Sequence, residues 1–482
     1  MSGLAGILGI ARGALTTHQK AITVTSHNIA NAQTPGFTRQ RAALVANTPV
    51  GLAEGQVGTG VTVSRIERVR DPLLDTVYRR ESGNEAAFGM RRDLLQQVEG
   101  IFNEPSETGL AGSLDAFWSS WDDLANLPNS GTARGVVQQR GAQVAATLND
   151  FAARLTTTVD GAGLQLRSTL DEVNRLTGQV AELNKQIVST EVGGRTANDL
   201  RDERDRVLDS IAGITNIQVV ERANGGVGVF LGGALLVDGT TQKKLTTLGT
   251  DPVRFTLAGD TEPITDVAGT LGAIAEVLNT DLPGVRAKLD TLAASIVSTV
   301  NAVHRAGWSP AGDAAAGDPW AGSGVDFFRA EGVTAASITL AGRGPDDPAG
   351  TPPGVRNDPN FVAAGNVRFG TGNNVVAMQM AGLRDRVDSV VPDGAAPGST
   401  QSFRDYYRDV VTGVALGAQA ADRSASVYGT IVTDAETRRQ SVAGVSTDEE
   451  LVQLMRQQQA YVAATKLVST VDQMAQAILT MV

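Results

Sequence analysis

The sequence predicts an α+β protein of several domains, in which both chain ends form a long helical bundle and coiled-coil stem and β-rich outer domains are inserted between them. Three observations lead to this prediction. Both ends carry helical apolar patterns, long helical patterns lie further in, and glycine-rich strand-like runs occupy part of the middle. The 482 residues allow several domains, since about 100–200 residues per domain is usual.

The two chain ends carry matching patterns, in which apolar or small residues recur at alternating steps of four and three. Such spacing marks a helix with one narrow seam that packs along another helix. The seam of the first helix comprises Leu4, Leu8, Ala11, Leu15, His18, Ile22, Thr25 and Ile29. The seam of the last helix comprises Leu454, Gln457, Tyr461, Ala464, Val468, Val471, Ala475, Ile478 and Val482. The spacing alone leaves open whether the seams pack on each other inside one globule or form an assembly surface.

The first helix is predicted to end between Asn31 and Thr34, because Pro35 and Gly36 cannot continue it. It is also weak, since each glycine inside a helix costs about 1 kcal/mol relative to alanine. The glycines are Gly3, Gly6, Gly9 and Gly13. We therefore expect this helix to be disordered until packing stabilises it. Extended and turn structure is predicted from residue 39 to about residue 70.

Helices are predicted again after Pro72. One runs to about residue 101, and a second ends before Pro128, with Trp118 and Trp121 as core or helix-contact residues three apart on one face. Residues 129–251 contain no proline, and they predict one or two very long helices.

A shorter helix is predicted over Thr196–Ile211. There Arg201 and Asp205, and likewise Asp202 and Arg206, lie four residues apart. This spacing predicts exposed ion pairs worth a few tenths of a kcal/mol each.

A β-rich part is predicted to begin near Ile214, with strands and a glycine turn between Ile217 and Gly239. A helix interrupts it at residues 271–304. Residues 307–398 are rich in glycine, proline and aspartate, and the run Ala336–Leu340 looks strand-like. Helix resumes at Phe403 and, after a break near Gly444, runs to the end of the chain.

The nested order of these patterns predicts three domains. A terminal coiled-coil assembly domain comprises residues 1–45 and 440–482. A helical stem domain comprises residues 46–212, 268–306 and 400–439. A β-rich outer insert comprises residues 213–267 and 307–399.

The chain offers no pattern of an active site. It contains no cysteine, which excludes disulfides and thiolate chemistry. His18 and His27 are nine residues apart with no acidic residue before Glu54, and His18 is expected to serve helix contact. His304 lies at the end of a predicted helix, where a cationic or polar group is expected to interact favourably with the helix dipole. Gly226 to Gly228 predicts a hairpin turn rather than a phosphate loop. No catalytic, cofactor or metal site is predicted.

Charge and hydropathy argue against two classes of partner. The net charge is −11, and no basic cluster stands out. Nucleic acid and anionic membranes both require a positive surface. No run reaches the ~18 apolar residues of a membrane span, and no basic residue precedes the apolar start as it does in a secretory signal. We expect neither nucleic-acid binding nor membrane insertion.

The segment from Thr25 to Gln40 closely resembles the signature shared by bacterial flagellar rod, hook and hook-associated proteins. The matching residues are Ser26, His27, Asn28, Ile29, Ala30, Asn31, Thr34, Pro35, Gly36 and Phe37. The C-terminal runs Gly444–Leu451 and Gln457–Tyr461 are also similar to that family. Within it, Asn198–Asp205 and Val300–His304 resemble the hook-associated members that join hook to filament.

The resemblance implies a non-enzymatic structural adaptor of the bacterial flagellum, which joins hook to filament by helical self-assembly and is needed for filament assembly. It implies contacts with further copies of the chain, the hook protein, a second junction protein (hook-associated protein 3) and a flagellar export chaperone. It also implies secretion to the extracellular flagellum by the flagellar type III apparatus without a cleaved signal peptide. In such proteins the terminal helices are disordered in the monomer and pair in the axial structure.

Two alternatives remain. One is another axial protein, such as the hook subunit, against which the long proline-free helical region argues. The other is a secreted hydrolase on an axial-protein scaffold, for which residues 307–398 offer no histidine, paired carboxylates or Gly-x-Ser-x-Gly pattern.

Overall fold

The computed structural model describes residues 2–52, 55–104, 106, 109–310, 324–344, 354–367, 371–391 and 400–480. Within them the helices are α1 (Ser2–Ala30), α2 (Pro72–Phe102), α3 (Leu110–Asn126), α4 (Gly131–Glu191), α5 (Asn198–Ile214), α6 (Gly269–Glu276), α7 (Leu282–His304), α8 (Val375–Ala381), α9 (Phe403–Ala443) and α10 (Thr447–Thr480). The strands are β1 (Gln40–Ala46), β2 (Val50–Leu52), β3 (Gly55–Val57), β4 (Val61–Arg68), β5 (Ile217–Glu221), β6 (Val227–Leu231), β7 (Ala234–Asp238), β8 (Thr241–Gln242), β9 (Leu245–Leu248) and β10 (Arg254–Leu257). A π-helical segment, Val277–Asp281, joins α6 to α7. The predicted α+β class is confirmed.

The helix boundaries follow the predicted signals. α1 ends at Ala30, just before the predicted boundary. α4 is a single helix of 61 residues, which decides between the predicted one or two long helices. Its first turn is capped by Ser130, whose hydroxyl accepts the Ala133 N–H. α9 and α10 are separated at Gly444, as predicted.

The main apolar core lies inside the bundle formed by α2, α3, α4, α7 and α9. Trp118 and Trp121 are buried in it, as predicted, and the Phe117 ring lies 4.8 Å from the first and 6.2 Å from the second, centre to centre. α2 and α9 pack along each other, and Phe88 stacks on Tyr428 at 5.4 Å. No described residue of α1 or α10 belongs to this core.

The strands form small antiparallel sheets. β5, β6, β7 and β8 make a four-stranded sheet in chain order, β9 pairs with β10, β2 with β3, and β1 with β4. The turn between β5 and β6 contains Gly225 with φ of +85°, a conformation that favours glycine. The predicted glycine hairpin is therefore confirmed.

Asparagines on helical segments attach several strands and loops to the bundle. In each case the side-chain nitrogen donates to a backbone carbonyl and the side-chain oxygen accepts the N–H of the same residue, at 2.7 to 3.1 Å. The pairs among the described residues are Asn28 with Gln40, Asn174 with Leu245, Asn184 with Val227, Asn279 with Val253, and Asn301 with Phe328. A carboxamide suits this position because it offers both a donor and an acceptor.

Two local predictions are wrong. Ala336–Leu340 forms a turn rather than a strand, and only Leu340 makes a bridge, to Phe328. The predicted exposed ion pairs on α5 are also absent from the described contacts. Arg201 binds Glu191 and Glu221 instead, while Asp202 and Asp205 are buried against arginines from other elements.

His304 lies at the end of α7 as predicted, and of the two predicted alternatives, a cationic or a polar group, the cationic one is wrong. Its ring is 1% exposed, and burial lowers its pKa to about 4, against the opposing effects of the Val325 carbonyl and Asp326. The neutral ring bonds the Val325 carbonyl through Nδ1 at 2.7 Å and accepts the Ala363 N–H at Nε2 at 3.1 Å. It therefore joins two loop segments to α7.

The division into three domains remains a prediction. β4, from the range assigned to the helical stem, pairs with β1 and contacts α1. α8, from the range assigned to the outer insert, packs on α3 and α7. Among the described helices, none is long and apolar enough to cross a membrane.

Candidate functional site

The helices at the two chain ends, α1 and α10, pack against each other. His18 Nδ1 and Gln457 Oε1 are 2.7 Å apart, and Asn28 binds Glu450 at 2.9 Å. Residue numbers thus rise along α1 while they fall along α10, so that the helices are antiparallel. Both seam positions His18 and Gln457 lie in the interface, where His18 has the expected helix-contact role.

The predicted seam is the less exposed face of α10, whereas on α1 the buried residues Thr17, Ala21, Val24 and Asn28 each lie one position before a seam residue. Ala11, Thr25, Ala464 and Val471 are buried. The half-buried seam residues are Leu4, Leu15, His18, Ile22, Ile29, Leu454, Gln457, Tyr461, Val468 and Ala475.

Two predicted seam residues remain exposed, Leu8 at 44% and Ile478 at 46%. Val482 lies outside the described residues. The structure thus brings the two seams together in one chain, with apolar residues still exposed at the end of the helix pair that holds the chain termini.

At the opposite end of the pair, Asn28 links three elements. Its side-chain nitrogen donates to the Gln40 carbonyl at 2.8 Å and to Glu450 Oε2 at 2.9 Å, and its oxygen accepts the Gln40 N–H at 3.0 Å. Asn28 is 1% exposed and Glu450 3%. α1, β1 and α10 therefore meet at one fully bonded carboxamide.

Arg39 neutralises the acidic start of α10. Its Nε donates to Glu450 at 2.7 Å and its Nη1 to Glu449 at 3.1 Å, while its backbone N–H donates to the Ala443 carbonyl at 2.9 Å. Both glutamates also lie in the first turn of α10, where the helix dipole favours negative charge. Arg39 thus ties the segment after α1 to the α9–α10 connection.

The other motif residues shape the turn after α1. His27 and Phe37 make an edge contact with ring centres 5.3 Å apart. Asn31 donates to the His27 carbonyl at 3.0 Å and accepts from the Thr34 hydroxyl at 3.1 Å. Ser26, Ala30, Thr34 and Pro35 are exposed. These contacts fold the segment back toward β1.

Gly36 is required by its position. Its φ is +74°, and a Cβ there would lie 2.4 Å from Cδ of Arg206 on α5. The motif turn therefore lies against the Arg206 side chain, which would have to move to admit a Cβ at residue 36, and the positive φ itself favours glycine.

α5 presents a row of carboxylates to the strands beside the terminal helices. Asp199 accepts from Gln40 Nε2 at 2.9 Å, and Asp202 accepts the Thr38 N–H at 2.9 Å. Arg68 of β4 donates to Asp202 at 2.8 Å and to Asp205 at 2.7 Å. The terminal unit and the bundle are thus joined mainly by charge and hydrogen bonds.

Three arginines stabilise the negative charge of Asp205. Burial alone would raise the pKa of this carboxyl, but Arg70, Arg68 and Arg79 together hold it below its ordinary value. Its carboxylate remains ionised and keeps the surrounding arginines paired.

Sequence reasoning missed these links. The steps of three between Asp199, Asp202 and Asp205 place them on one face of α5, which was an available signal for an acidic face. Nothing in the sequence, however, showed which basic residues lay opposite. The same holds for Asn28, whose partners Gln40 and Glu450 come from different elements.

No group of three or more histidine, aspartate or glutamate side chains among the described residues is arranged to hold a metal ion. The joined chain ends offer a paired-helix surface with exposed apolar positions, which is bonded to the bundle through α5.

Three family models match the chain. The model described as "Flagellar hook-associated protein FlgK helical domain" matches residues 95–319. "Flagella basal body rod protein" matches residues 8–38, and "Flagellar basal body rod FlgEFG protein C-terminal" matches residues 439–481. The last two matches fall on α1 and α10.

Whole-length relatives carry one name, flagellar hook-associated protein 1. The protein of Bacillus subtilis is 29% identical, over 97% of this chain and 96% of the relative. That of Escherichia coli is 25% identical, over 97% of this chain and 98% of the relative. That of Salmonella typhimurium is 24% identical, over 99% and 100%.

A solved structure shows the same fold. It is described as the flagellar hook junction protein FlgK from Burkholderia pseudomallei, with a TM-score of 0.61 and 15% identity over 76% of this chain and all of that chain. These findings confirm the resemblance seen at Ser26–Phe37 and Gly444–Leu451. The chain belongs to the flagellar hook-associated protein 1 family and is a structural component of the bacterial flagellum.

Proposed function

We propose that this chain is the adaptor that joins the flagellar hook to the filament, that it assembles with copies of itself in the flagellar axis, and that filament growth requires it. The relatives' name and the description of the solved fold neighbour as a hook junction protein support this role. The observation that carries it is the α1–α10 pair, which joins both chain ends yet leaves apolar residues exposed.

Assembly would bury apolar side chains of α1 and α10 that are exposed to water in the single chain. Ile7 and Leu8 on α1 are 41% and 44% exposed, and Met455, Val462 and Ile478 on α10 are 53%, 51% and 46% exposed. Burying apolar surface yields about 25 cal/mol per Å². A head-to-tail arrangement of non-identical faces builds a helical layer rather than a closed dimer. The seams from Leu4 to Ile29 and from Leu454 to Ile478 are the core of this assembly element.

The proposed partners follow from a position between the hook and the filament. We propose contacts with further copies of the chain, with the hook protein on one side and with hook-associated protein 3 on the other, and with an export chaperone before assembly. The role is structural, with no catalytic step.

The chain would reach the extracellular hook–filament junction through the flagellar type III apparatus without a cleaved signal peptide. The absence of cysteine suits export of an unfolded chain.

Electron microscopy of a strain lacking the gene tests this function. We expect hooks of normal shape without filaments, with flagellin released into the medium, and filaments restored by the full-length chain. Normal filaments in the deletion strain would contradict the junction role. Loss of the hooks themselves would instead indicate a hook subunit.

A further inference from the structure

Arg204 of α5 is a buried cation that forms no ion pair with a described residue. Its side chain is 2% exposed. Within the part of the chain that the structure describes, its hydrogen bonds all come from Nη1, which donates to Asn184 Oδ1 at 3.1 Å and to the Gly225 carbonyl at 2.7 Å. Its Nε is buried and meets no described acceptor. A buried charge normally has a counter-charge, because the loss of water is otherwise costly.

Arg204 lines a cavity of about 510 Å³ between α2, α5, β4 and the β5–β6 strands. Among the described residues, six arginines line it: Arg65, Arg68, Arg70, Arg79, Arg201 and Arg204. The described carboxylates at the same wall are Glu67, Asp75, Asp205 and Glu221. Positive charge is therefore in excess at the wall of this cavity.

The other five arginines of the wall already have carboxylate partners. The N–O distances are 2.5 to 2.9 Å in the pairs Arg65–Glu67, Arg68–Asp205, Arg70–Asp75, Arg79–Asp209 and Arg201–Glu191. Asp205 follows Arg204 in the sequence, but its carboxylate is bonded to three of the other wall arginines. Burial lowers the pKa of Arg204 to about 10, and the charges of Asp205 and Glu221 oppose this only in part. The guanidinium is still charged at neutral pH.

Arg134 of α4 shows how a buried arginine serves a structural role alone. It is 5% exposed, and its Nε donates to the Val362 carbonyl at 2.9 Å. It does not line the cavity. The Nε donor is thus satisfied in Arg134 and unsatisfied in Arg204. Donors along one edge of a guanidinium are the groups that bind a carboxylate or phosphate in a bidentate manner.

The bundle holds Arg204 in a fixed position. Asn184, which accepts from Arg204, also bonds both backbone groups of Val227. Gly225, which accepts the second bond, lies in the turn between β5 and β6. These contacts join α4, α5 and the four-stranded sheet, so they do not depend on the helices at the chain ends. A side chain that is already fixed loses little conformational freedom when it binds a ligand.

We propose that the cavity beside Arg204 binds a small inorganic oxyanion of the phosphate or sulfate class. Arg204 supplies the uncompensated charge, and the excess of arginines at the wall attracts anions to the cavity. A tetrahedral oxyanion suits the site because its oxygens accept hydrogen bonds from several guanidinium groups at once. The bound ion is the counter-charge of Arg204 and stabilises the folded bundle, since it binds the folded chain alone.

Isothermal titration calorimetry of the purified full-length chain with inorganic phosphate tests the site. The titration is run in a chloride buffer at constant ionic strength, because salt screens the attraction between charges. We expect a single saturable site. Arg204→Met should weaken phosphate binding by about ten-fold or more, because it removes charge-assisted hydrogen bonds. Arg134→Met removes a buried arginine outside the cavity and should leave the phosphate affinity unchanged.

Glu221→Gln gives a second test, which does not depend on the folding of Arg204→Met. The Glu221 side chain is 57% exposed and pairs with Arg201 at the wall. Loss of its charge removes a repulsion of the anion and releases Arg201, so phosphate should bind several-fold more tightly. Glu203→Gln makes the same change of charge at an exposed position of α5 that does not line the cavity, and it should not alter binding.

Four outcomes would overturn the proposal. They are no saturable binding of phosphate to the unaltered chain, equal affinity in folded Arg204→Met, an equal loss in Arg134→Met, and equal affinities of Glu221→Gln and Glu203→Gln. Circular dichroism shows whether each variant is folded. If Arg204→Met does not fold, the comparison of Glu221→Gln with Glu203→Gln decides.

Discussion

The helix pair at the chain ends and the bundle between them bury very different side chains. In the bundle, the fully buried residues include Phe117, Trp121 and Phe327, each 0% exposed. In α1 and α10, the buried apolar residues are Ala11, Ala21, Val24, Ala464 and Val471. Burying apolar surface contributes about 25 cal/mol per Å² to the free energy of folding, so a large buried side chain contributes more than a small one. The bundle therefore has a core of its own, whereas the end helices gain little from packing within one chain.

The same comparison holds for polar contacts. Inside the bundle, Asn301 and His304 attach loops to helices that are already packed. At the chain ends, Asn28 and Glu450 are buried in a region with few buried apolar side chains. The difference indicates that the stability of the chain resides in the bundle, and under the proposed function assembly belongs to the end helices, which the charged face of α5 joins to the bundle.

The largest expected effect concerns the bundle core. Trp121→Ala should lower the free energy of unfolding by about 3–5 kcal/mol, because it removes a fully buried ring between Phe117 and Phe327. Urea unfolding of the full-length chain followed by far-ultraviolet circular dichroism measures this. Leu127→Ala, at a residue that is 60% exposed just after the same helix, should change it by less than about 0.5 kcal/mol. A comparable loss in both variants would contradict the proposed core.

An intermediate effect concerns His304 and pH. Its pKa is about 4 in the folded chain, against about 6.5 when unfolded, so the unfolded state binds the proton between these values. The stabilising contribution of the neutral ring is full above pH 6.5 and is lost as pH falls toward 4. Between pH 7.5 and 4.5 the loss should be about 2–3 kcal/mol.

Urea unfolding at these two pH values checks the expectation. His304→Phe removes the titrating ring, so the part of the pH dependence that belongs to His304 should disappear, although the variant is less stable at pH 7.5. An unchanged pH dependence in His304→Phe would show that other groups cause it.

The sequence predicted the helices, the seams and the motif because each depends on a local pattern of spacing, proline and glycine. It failed where a residue's partner comes from a distant element. The i to i+4 rule treated Asp202 and Asp205 as members of an isolated helix, whereas Arg68 reaches them from β4. The dipole argument for His304 assumed an exposed helix end, but loop segments cover it. The role of Asn28 required knowing that β1 and α10 meet beside it.

The smallest expected effect is on the seam itself. Leu15 is only half-buried in the single chain, so Leu15→Ala should lower the free energy of unfolding by less than about 1 kcal/mol. The same substitution should strongly reduce filament formation, because assembly would bury this position against neighbouring subunits. Urea unfolding and filament counts by electron microscopy give the two readings.

Lys20→Ala, at an exposed position of the same helix, should alter neither the free energy of unfolding nor filament formation. A loss of stability as large as that of Trp121→Ala would mean that α1 unfolds together with the bundle, and the separation of stability from assembly would be wrong.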